Sequence, residues 1–299
     1  MRTNLFALSL FFVLSATSFT IIGCGGSHLT ANAPALAASP SPTPAPVASP
    51  TPVPAPAPKP SPTPTPLPSP SPTPTPSTTG VTVLDNLEDS PNWLTCGACG
   101  NTGATGSVAT YSFTPGMASP SEDGGSTQFS IAATVAFSNA YFYRQHTPIT
   151  TQINTLIYEF DMYIPSGMEN APQAIEFECQ QTVNGWVYNF AWQAEYVGTK
   201  TWRIFDYGAK RWDTSGIPFT GFAPNTWHHI VAEYHNDVAN HVVWHDALTV
   251  DGVRHPVNIS HNAFFKSGSN QFSNAFQLDS NSTPTPYHVF VDRMKVSYQ

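Results

Sequence analysis

The sequence predicts an all-β fold, a two-sheet antiparallel β-sandwich of the jelly-roll kind, preceded by a disordered proline-rich linker. Two observations predict it. Residues 31–80 hold 19 of the 30 prolines and one charged side chain, so they have too few apolar groups to offset the entropy of folding. From residue 81 onward, short segments alternate apolar and polar residues between Gly, Pro, Asn, Asp and Ser clusters, as half-buried strands do.

Residues 1–23 have the features of an export signal. Arg2 precedes an apolar run at residues 5–14 that is too short to span a membrane. The sequence Ile-Ile-Gly-Cys that ends at Cys24 resembles the bacterial lipoprotein signal, which implies that Cys24 is lipidated and becomes the new N-terminus. Gly25 in the next position implies the outer membrane or cell surface. An ordinary secretory signal with an incidental Cys24 is the alternative.

Residues 24–80 are expected to be the lipidated cysteine and a semi-rigid stalk, because proline recurs at nearly every second position between residues 40 and 76. At about 3.1 Å per residue, roughly 45 residues would reach on the order of 140 Å. No apolar run after Cys24 approaches membrane-spanning length, so we expect contact with the membrane through the lipid only.

Residues 81–299 are the predicted folded domain. They carry 9 Lys and Arg against 19 Asp and Glu, a formal charge of −10. An acidic surface repels phosphate, which excludes nucleic acid as a partner. The length is sufficient for a sizeable core, and we expect a monomer.

The alternating segments predict eleven strands in this domain. They cover residues 81–87, 108–113, 127–133, 139–144, 155–164, 173–181, 188–196, 200–207, 228–235, 241–250 and 288–298.

Four short motifs in order along the domain resemble the concanavalin A-like lectin/glucanase superfamily. They are Val-Leu-Asp-Asn-Leu-Glu at 83–88, Asn-Thr-Trp-His-His-Ile-Val at 225–231, Leu-Thr-Val-Asp-Gly-Val at 248–253 and Val-Phe-Val-Asp-Arg-Met-Lys-Val at 289–296. The two middle motifs are similar to laminin G-like members. The resemblance implies a sandwich in which the first and last strands pair, and a function that involves carbohydrate.

Three predicted strands carry a polar face opposite an apolar one. If these strands are neighbours, one sheet face displays carboxylates and amides without Lys or Arg, which suits the hydroxyl groups of a sugar, whereas aromatic rings stack on its apolar faces. A plain solvated sheet face is the alternative. Trp212 and Tyr207 are additional candidate stacking rings. The residues expected to bind the sugar are Glu159, Asp161, Tyr163, Gln180, Trp186, Asn189, Gln193, Glu195, Trp202 and Arg203.

Glu176 and Glu178 are the candidate catalytic pair. They stand two residues apart on one strand face, so their Cα atoms lie roughly 6.5–7 Å apart, and side-chain rotation brings the carboxyl groups towards the about 5–5.5 Å of retaining glycosidases. The segment at 174–179 resembles the Glu-x-Asp-x-Glu motif of the superfamily's glucanases only in part, because the intervening Asp and the longer spacing are absent. A polysaccharide lyase that uses Tyr141, Tyr143, Arg144 and His146 is another alternative.

Acidic residues at the ends of the terminal strands suggest a cation site. Asp85, Glu88 and Asp292 are expected to hold a structural Ca²⁺ through oxygen ligands, as in many sandwich carbohydrate-binding modules, and no cofactor is expected to be required for binding. The alternative is zinc or copper at a hairpin around residue 238. That hairpin would place His235 opposite His241, with His229, Glu233 and His245 on the same face.

The cysteines fit an exported protein. Cys96 and Cys99 are expected to close a small disulfide loop, since no second pair is present for a zinc ribbon. Cys179 alternates with apolar residues and is expected to be a buried free thiol, although a bridge to Cys96 or Cys99 stays open.

The sequence therefore predicts a lipid-anchored cell-surface protein whose stalk carries one sandwich that binds an extracellular polysaccharide or other glycan. A glycoside hydrolase or polysaccharide lyase, and a protein-binding surface adhesin, are the alternatives.

Overall fold

The computed structural model describes residues 80–95 and 109–299. The predicted signal, the lipidation site Cys24, the stalk and the Cys96–Cys99 pair lie outside these residues. The described part consists of two eight-stranded antiparallel sheets, which confirms the predicted sandwich. It contains no helix that is long and apolar enough to cross a membrane.

Sixteen strands make up the two sheets within the described residues. In chain order they are β1 (Thr82–Leu84), β2 (Leu94–Thr95), β3 (Thr110–Met117), β4 (Ser126–Ala132), β5 (Asn139–His146), β6 (Thr155–Tyr163), β7 (Pro172–Val183), β8 (Trp186–Glu195), β9 (Thr201–Asp206), β10 (Arg211–Pro218), β11 (Trp227–Asp237), β12 (Val242–Val250), β13 (Val253–Asn262), β14 (Phe264–Phe265), β15 (Gln271–Ser280) and β16 (Tyr287–Tyr298). Sheet I has the order β13-β12-β11-β6-β16-β4-β3, and β1 also pairs with β16. Sheet II has the order β10-β9-β8-β7-β15-β5-β2, and β14 also pairs with β8.

The first and last strands pair as expected. Thr82 lies opposite Tyr298 and Leu84 opposite Val296. All eleven predicted strands are present, and five others were not predicted: β2, β10, β13, β14 and β15. The most consequential omission is β15, which lies between β7 and β5 at the centre of sheet II. Its apolar alternation is interrupted by the buried Asn274, which hides the strand from a hydrophobicity pattern.

Aromatic rings from the two sheets meet to form the core. Phe160 of β6 contacts Phe177 of β7 with ring centroids 4.9 Å apart. Phe129 of β4 lies 5.2 Å from Phe276 of β15. Such tilted and edge-on ring contacts add to the gain from apolar burial and fix how the sheets stack. Cys179 lies in this core as a buried free thiol, as predicted.

The prediction that β6, β7 and β8 share one sheet face is wrong. β7 and β8 are neighbours in sheet II, but β6 belongs to sheet I, between β11 and β16. Because each sheet turns one face to the core, the outward side chains of β6 lie on the opposite side of the sandwich. Glu159, Asp161 and Tyr163 are therefore separated from the polar residues of β7 and β8.

Trp202 is a core residue, which contradicts its predicted role as a stacking ring for a ligand. Only 2% of it is exposed. Its ring lies 5.2 Å from that of Phe219 and 5.9 Å from that of Phe222, two residues in the segment that follows β10. Loop aromatics cover this tryptophan. Trp202 and Ile204 alternate with Arg203 along β9, so the predicted ligands Trp202 and Arg203 point to opposite faces of the sheet.

The predicted histidine group is also dispersed by the register. The β11–β12 hairpin forms, but His235 lies opposite Trp244 and stacks on it. His245 is fully buried in the core, and His241 stacks on Trp186 at 3.8 Å. No common face of this hairpin gathers the predicted zinc or copper ligands.

We expect Trp202→Ala to lower the free energy of unfolding by about 3–5 kcal/mol, because it leaves a cavity among packed rings. Urea denaturation followed by circular dichroism measures this. Val253→Ala is the control: Val253 is 58% exposed, and a change below about 0.5 kcal/mol is expected. Wild-type stability in Trp202→Ala would contradict the buried placement.

Candidate functional site

The outward side chains of sheet II form one continuous surface, here called the polar face of sheet II. The face exists because Phe177, Phe190 and Trp192 point inward, which turns their strand neighbours outward. β15 lies on one side of β7 and β8 on the other, so side chains from three adjacent strands meet. The residues of this face are Tyr141, Tyr143, Glu176, Glu178, Gln180, Asn189, Ala191, Gln193, Glu195, Arg203, Phe205, Trp212, Ala275, Gln277 and Asp279.

Glu176 lies at the centre of the face between two glutamines. Gln193 Nε2 donates to its Oε1 at 2.6 Å, and Gln277 Nε2 donates to its Oε2 at 2.8 Å. Gln277 Nε2 also donates to Asp279 Oδ1 at 2.9 Å. The side-chain amide of Gln277 thus links the carboxyl groups of Glu176 and Asp279.

Two carboxyl groups this close and this buried do not both ionise readily. Burial, followed by the charge of Asp279, raises the pKa of Glu176 well above its usual range. Burial raises the pKa of Asp279 to about 7, against the opposing hydrogen bonds from Glu176 and Gln277. Because each charge opposes the other, the pair takes up a second negative charge less readily than two separate carboxyl groups would.

Glu178 occupies the next outward position of β7 and is held differently. Tyr141 donates a short hydrogen bond to its Oε1, and Asn189 Nδ2 donates to its Oε2 at 2.9 Å. Burial raises the pKa of Glu178, while these two hydrogen bonds and the charge of Lys210 lower it.

A small recess lies beside Glu178. Its neighbours in the register are Ala191 on β8 and Ala275 on β15, whose short side chains leave space above the sheet. Trp212, Tyr141 and Gln277 help to line it, and its free volume is about 10 Å³, which is room for roughly one water molecule.

Four buried polar atoms on this face have no hydrogen-bond partner. They are Asn189 Oδ1, Gln193 Oε1, Gln277 Oε1 and Arg203 Nε. Buried polar atoms in folded proteins usually have hydrogen-bond partners, so these four have bonding capacity left for a molecule on this face. Three accept and one donates, which is a hydrogen-bonding pattern that hydroxyl groups satisfy.

Arg203 and Glu195 form the edge of the face. Arg203 Nη1 and Glu195 Oε1 are 2.9 Å apart, and Arg203 Nη2 donates to the carbonyl oxygen of Trp212 at 2.6 Å. Glu195 Oε2 also accepts from the backbone nitrogen of Thr199 at 3.0 Å. This carboxylate is already used in structural contacts, whereas Arg203 has Nε left to donate.

The structure brings together seven of the residues predicted from the sequence for sugar binding or catalysis. Glu176, Glu178, Gln180, Asn189, Gln193, Glu195 and Arg203 share the polar face of sheet II. Trp186 is the first residue of β8 and stacks on His241. Trp212, rather than Trp202, is the tryptophan on this face, packed 5.0 Å from Phe205. The lyase group is split, because Tyr141 and Tyr143 point outward whereas Arg144 and His146 point to the other side of β5.

Gln277 and Asp279 are functional-site residues that sequence reasoning missed. Both lie on β15, which was not predicted as a strand. The signal that would have found them is a period of two in the sequence. Gln277 and Asp279 alternate with the inward residues Phe276, Leu278 and Ser280.

A candidate cation site lies at the start of the domain, near the β16 strand. Oxygen atoms of Glu88, Asp123 and Asp292 lie within 4.8 Å of one another, and Glu88 Oε1 is buried without a partner. This oxygen set fits Ca²⁺. Glu88 and Asp292 were predicted ligands, but Asp85 is not part of the group: it is exposed and its Oδ1 accepts from the adjacent Asn86 nitrogen.

Burial, followed by the charges of Asp89 and Asp292, raises the pKa of Glu88 to about 7, although backbone hydrogen bonds oppose the shift. A divalent cation at these oxygens would displace the proton that Glu88 otherwise holds near neutral pH.

No protein-family model matches the chain, and no similar curated protein was found. Solved structures of similar fold include a carbohydrate esterase from the Shiga toxin-encoding bacteriophage phi24B, with 13% identity over 74% of this chain and 100% of that one and a TM-score of 0.43. They also include the lectin UEA-II, with 9% identity over 73% and 98% of the two chains and a TM-score of 0.41, and alginate lyase Aly36B, with 11% identity over 72% and 96% and a TM-score of 0.41. At these identities and scores the likeness describes the fold alone.

We expect the stability of the protein to fall between about pH 4 and pH 7 because of Asp279. Its pKa is about 7 in the folded chain against an ordinary 3.8. Between these values the folded chain holds a proton that the unfolded chain has already lost, so a rising pH favours the unfolded chain. Asp279→Asn removes this contribution to the loss of folding stability, which is on the order of a few kcal/mol. Chemical unfolding at pH 5 and pH 8 should show a smaller fall in the variant, while the exposed control Asp85→Asn keeps the wild-type slope. If stability changed with pH in Asp279→Asn as it does in the wild type, the raised pKa of Asp279 would be contradicted.

We expect Ca²⁺ to raise the thermal unfolding temperature, and more at pH 8 than at pH 6, because the cation competes with the proton on Glu88. Glu88→Gln should remove the effect of Ca²⁺, whereas Asp85→Asn should keep it. Thermal scans with and without Ca²⁺ after treatment with EDTA measure this. An equal rise in the wild type and in Glu88→Gln would show that Ca²⁺ binds elsewhere.

Proposed function

We propose that the sandwich binds a neutral carbohydrate on the polar face of sheet II. The observation that carries this proposal is the group of four buried polar atoms without partners, on Asn189, Gln193, Gln277 and Arg203. Each would find a partner in a hydroxyl group, which donates one hydrogen bond and accepts others. A sugar ring lying across the three strands offers several such groups at once.

Charge favours a neutral saccharide over an acidic one. The domain carries a formal charge of −10, and the centre of the face holds the carboxyl groups of Glu176, Glu178 and Asp279. An acidic polysaccharide would bring further negative charge to these groups, and Arg203 already pairs with Glu195. Burial and the charge of Asp279 raise the pKa of Glu176, so a neutral ligand on this face desolvates fewer ionised groups than a row of ordinary carboxylates would present.

The proposal extends to the setting of the domain. A lipid on Cys24 and a stalk of prolines would hold the sandwich on the outside of a bacterial cell, with reach towards polysaccharides too large to approach the membrane. This part is supported by the sequence of residues 1–80 alone.

A second candidate function, glycoside hydrolysis, is favoured by the raised pKa of Glu176. A general acid requires a carboxyl group whose pKa is raised, and burial, followed by the charge of Asp279, raises the pKa of Glu176. Glu178, two residues away on the same face, would be the nucleophile of a retaining mechanism. Binding would then be followed by cleavage.

The test is a binding screen against neutral gluco-, galacto-, manno- and xylo-oligosaccharides, followed by calorimetry with the best ligand. We expect Gln193→Ala and Gln277→Ala each to weaken binding by about tenfold, the equivalent of about 1.4 kcal/mol for a lost hydrogen bond in a buried site. Gln128→Ala is the matched control, since Gln128 lies on sheet I and donates to Ser130.

Equal affinity in wild type, Gln193→Ala and Gln277→Ala would rule out this face as the site. The same incubations followed for new reducing ends decide between the two functions. Product formation that is lost in Glu176→Gln would make the protein a hydrolase, and binding without product would leave it a lectin-like binder. A protein ligand without any glycan ligand would favour the adhesin alternative.

A further inference from the structure

The outer face of sheet I carries a second ordered set of polar and aromatic side chains. In the register of β11, β6 and β16, Tyr163 lies opposite Trp227 and Phe290. Two residues further along β6, Asp161 lies opposite His229 and Asp292. Two residues beyond that, Glu159 lies opposite Val231 and Lys295. An aromatic row thus borders two polar rows.

The polar rows form an open groove of about 510 Å³. The groove lies on the opposite outer side of the sandwich from the polar face of sheet II, because β6 and β7 turn their apolar faces towards each other in the core. It is far larger than the recess beside Glu178. Its lining residues are Asp85, Asn86, Asp123, Glu159, Asp161, His229, Arg293 and Lys295.

Donors and acceptors alternate along this groove. Asp161 accepts from Arg293 Nε at 2.6 Å and from His229 Nδ1 at 2.9 Å. Glu159 pairs with Lys295 at 2.9 Å, and His229 Nε2 lies 3.5 Å from its other oxygen. Because carboxylates and cations are interleaved, a ligand meets a donor and an acceptor at each step, and no large field of one sign.

A β-bulge builds the charged end of the groove. The register between β16 and β6 shifts between Asp292 and Lys295, and Arg293 has a left-handed φ of 51°. The bulge turns consecutive residues in different directions, so Asp292 faces Glu88 whereas Arg293 reaches Asp161. Non-glycine residues in this conformation are uncommon and concentrate at functional sites.

The aromatic row supplies a surface for stacking. The rings of Tyr163 and Trp227 lie 5.4 Å apart, and both residues are partly exposed. Trp227 and His229 are two residues apart on one strand face, which separates their Cα atoms by roughly 6.5–7 Å. The aromatic row and the polar rows are therefore adjacent on one face, so a sugar ring stacked on Trp227 would lie beside the polar rows.

We propose that this groove is a second saccharide-binding site, so that one sandwich holds two glycan chains on its opposite outer faces. The ligand is a neutral saccharide, because hydroxyl groups match interleaved donors and acceptors and the apolar face of a sugar ring matches the aromatic row. Among the lining residues four carboxylates outnumber the permanent cations Arg293 and Lys295, which disfavours an anionic ligand. The inference rests on the proposed function only for the class of ligand.

The first experiment is calorimetry on the whole domain with the neutral oligosaccharide that binds best in the screen. The second adds the parent polysaccharide and measures turbidity, because a protein with two sites cross-links polysaccharide chains. Wild type should bind two ligands per chain and raise the turbidity. Trp227→Ala and His229→Ala should each reduce the stoichiometry from two to one and abolish the turbidity. Val253→Ala, exposed on the edge strand β13 of the same sheet, is the control and should change neither. Circular dichroism checks that each variant is folded.

The outcomes separate the two sites. A stoichiometry of one that is lost in Gln193→Ala but unaffected in Trp227→Ala and His229→Ala would overturn the second site and leave the proposed function standing. A stoichiometry of one that is lost in Trp227→Ala and unaffected in Gln193→Ala would support the groove and overturn the site on sheet II. No binding by folded wild type to any oligosaccharide of the screen would overturn both.

Discussion

The packing of aromatic rings between the two sheets determines where the polar side chains of this protein point. Phe160 on β6 and Phe177 on β7 meet at 4.9 Å across the interior. Since successive side chains of a strand face opposite sides, an inward Phe177 turns Glu176 and Glu178 outward. An inward Phe160 does the same for Glu159 and Asp161, but on the other side of the molecule. Both polar surfaces are consequences of one core.

The two surfaces accommodate their acidic groups in different ways. On sheet II the carboxyl groups are buried, so the pKa of Glu176 is raised and amide hydrogen bonds from Gln193 and Gln277 satisfy its oxygen atoms. On sheet I the carboxylates are paired with cations, as Asp161 is with Arg293. Solvent reaches the groove on sheet I, and paired charges there cost less than they would in the interior. Asp161 is as buried as Glu176, so the difference follows from the cation beside it and not from exposure.

The calcium candidate and the groove on sheet I depend on the same backbone feature. The bulge in β16 sends Asp292 towards Glu88 and Arg293 towards Asp161. A regular strand would turn Arg293 to the same side as Val289 and Val291, which are fully buried in the core, and its charge would then lie among apolar residues. The bulge instead lets Arg293 reach Asp161 while Asp292 lies beside Glu88.

The sequence by itself determined the class of fold, the eleven strands with regular alternation and the polar character of β6, β7 and β8, because a period of two in hydrophobicity is a local property of the chain. It did not determine which strands are neighbours. Glu159 and Glu176 look equivalent in the sequence, yet they lie on opposite sides of the sandwich, since sheet membership depends on contacts between residues far apart in the chain. Gln277 and Asp279 joined Glu176 only in the tertiary structure, because β15 pairs with β7 across about a hundred residues. The burial of Trp202 is likewise completed by aromatic rings of the loop after β10, and no local sequence pattern predicts such a contact.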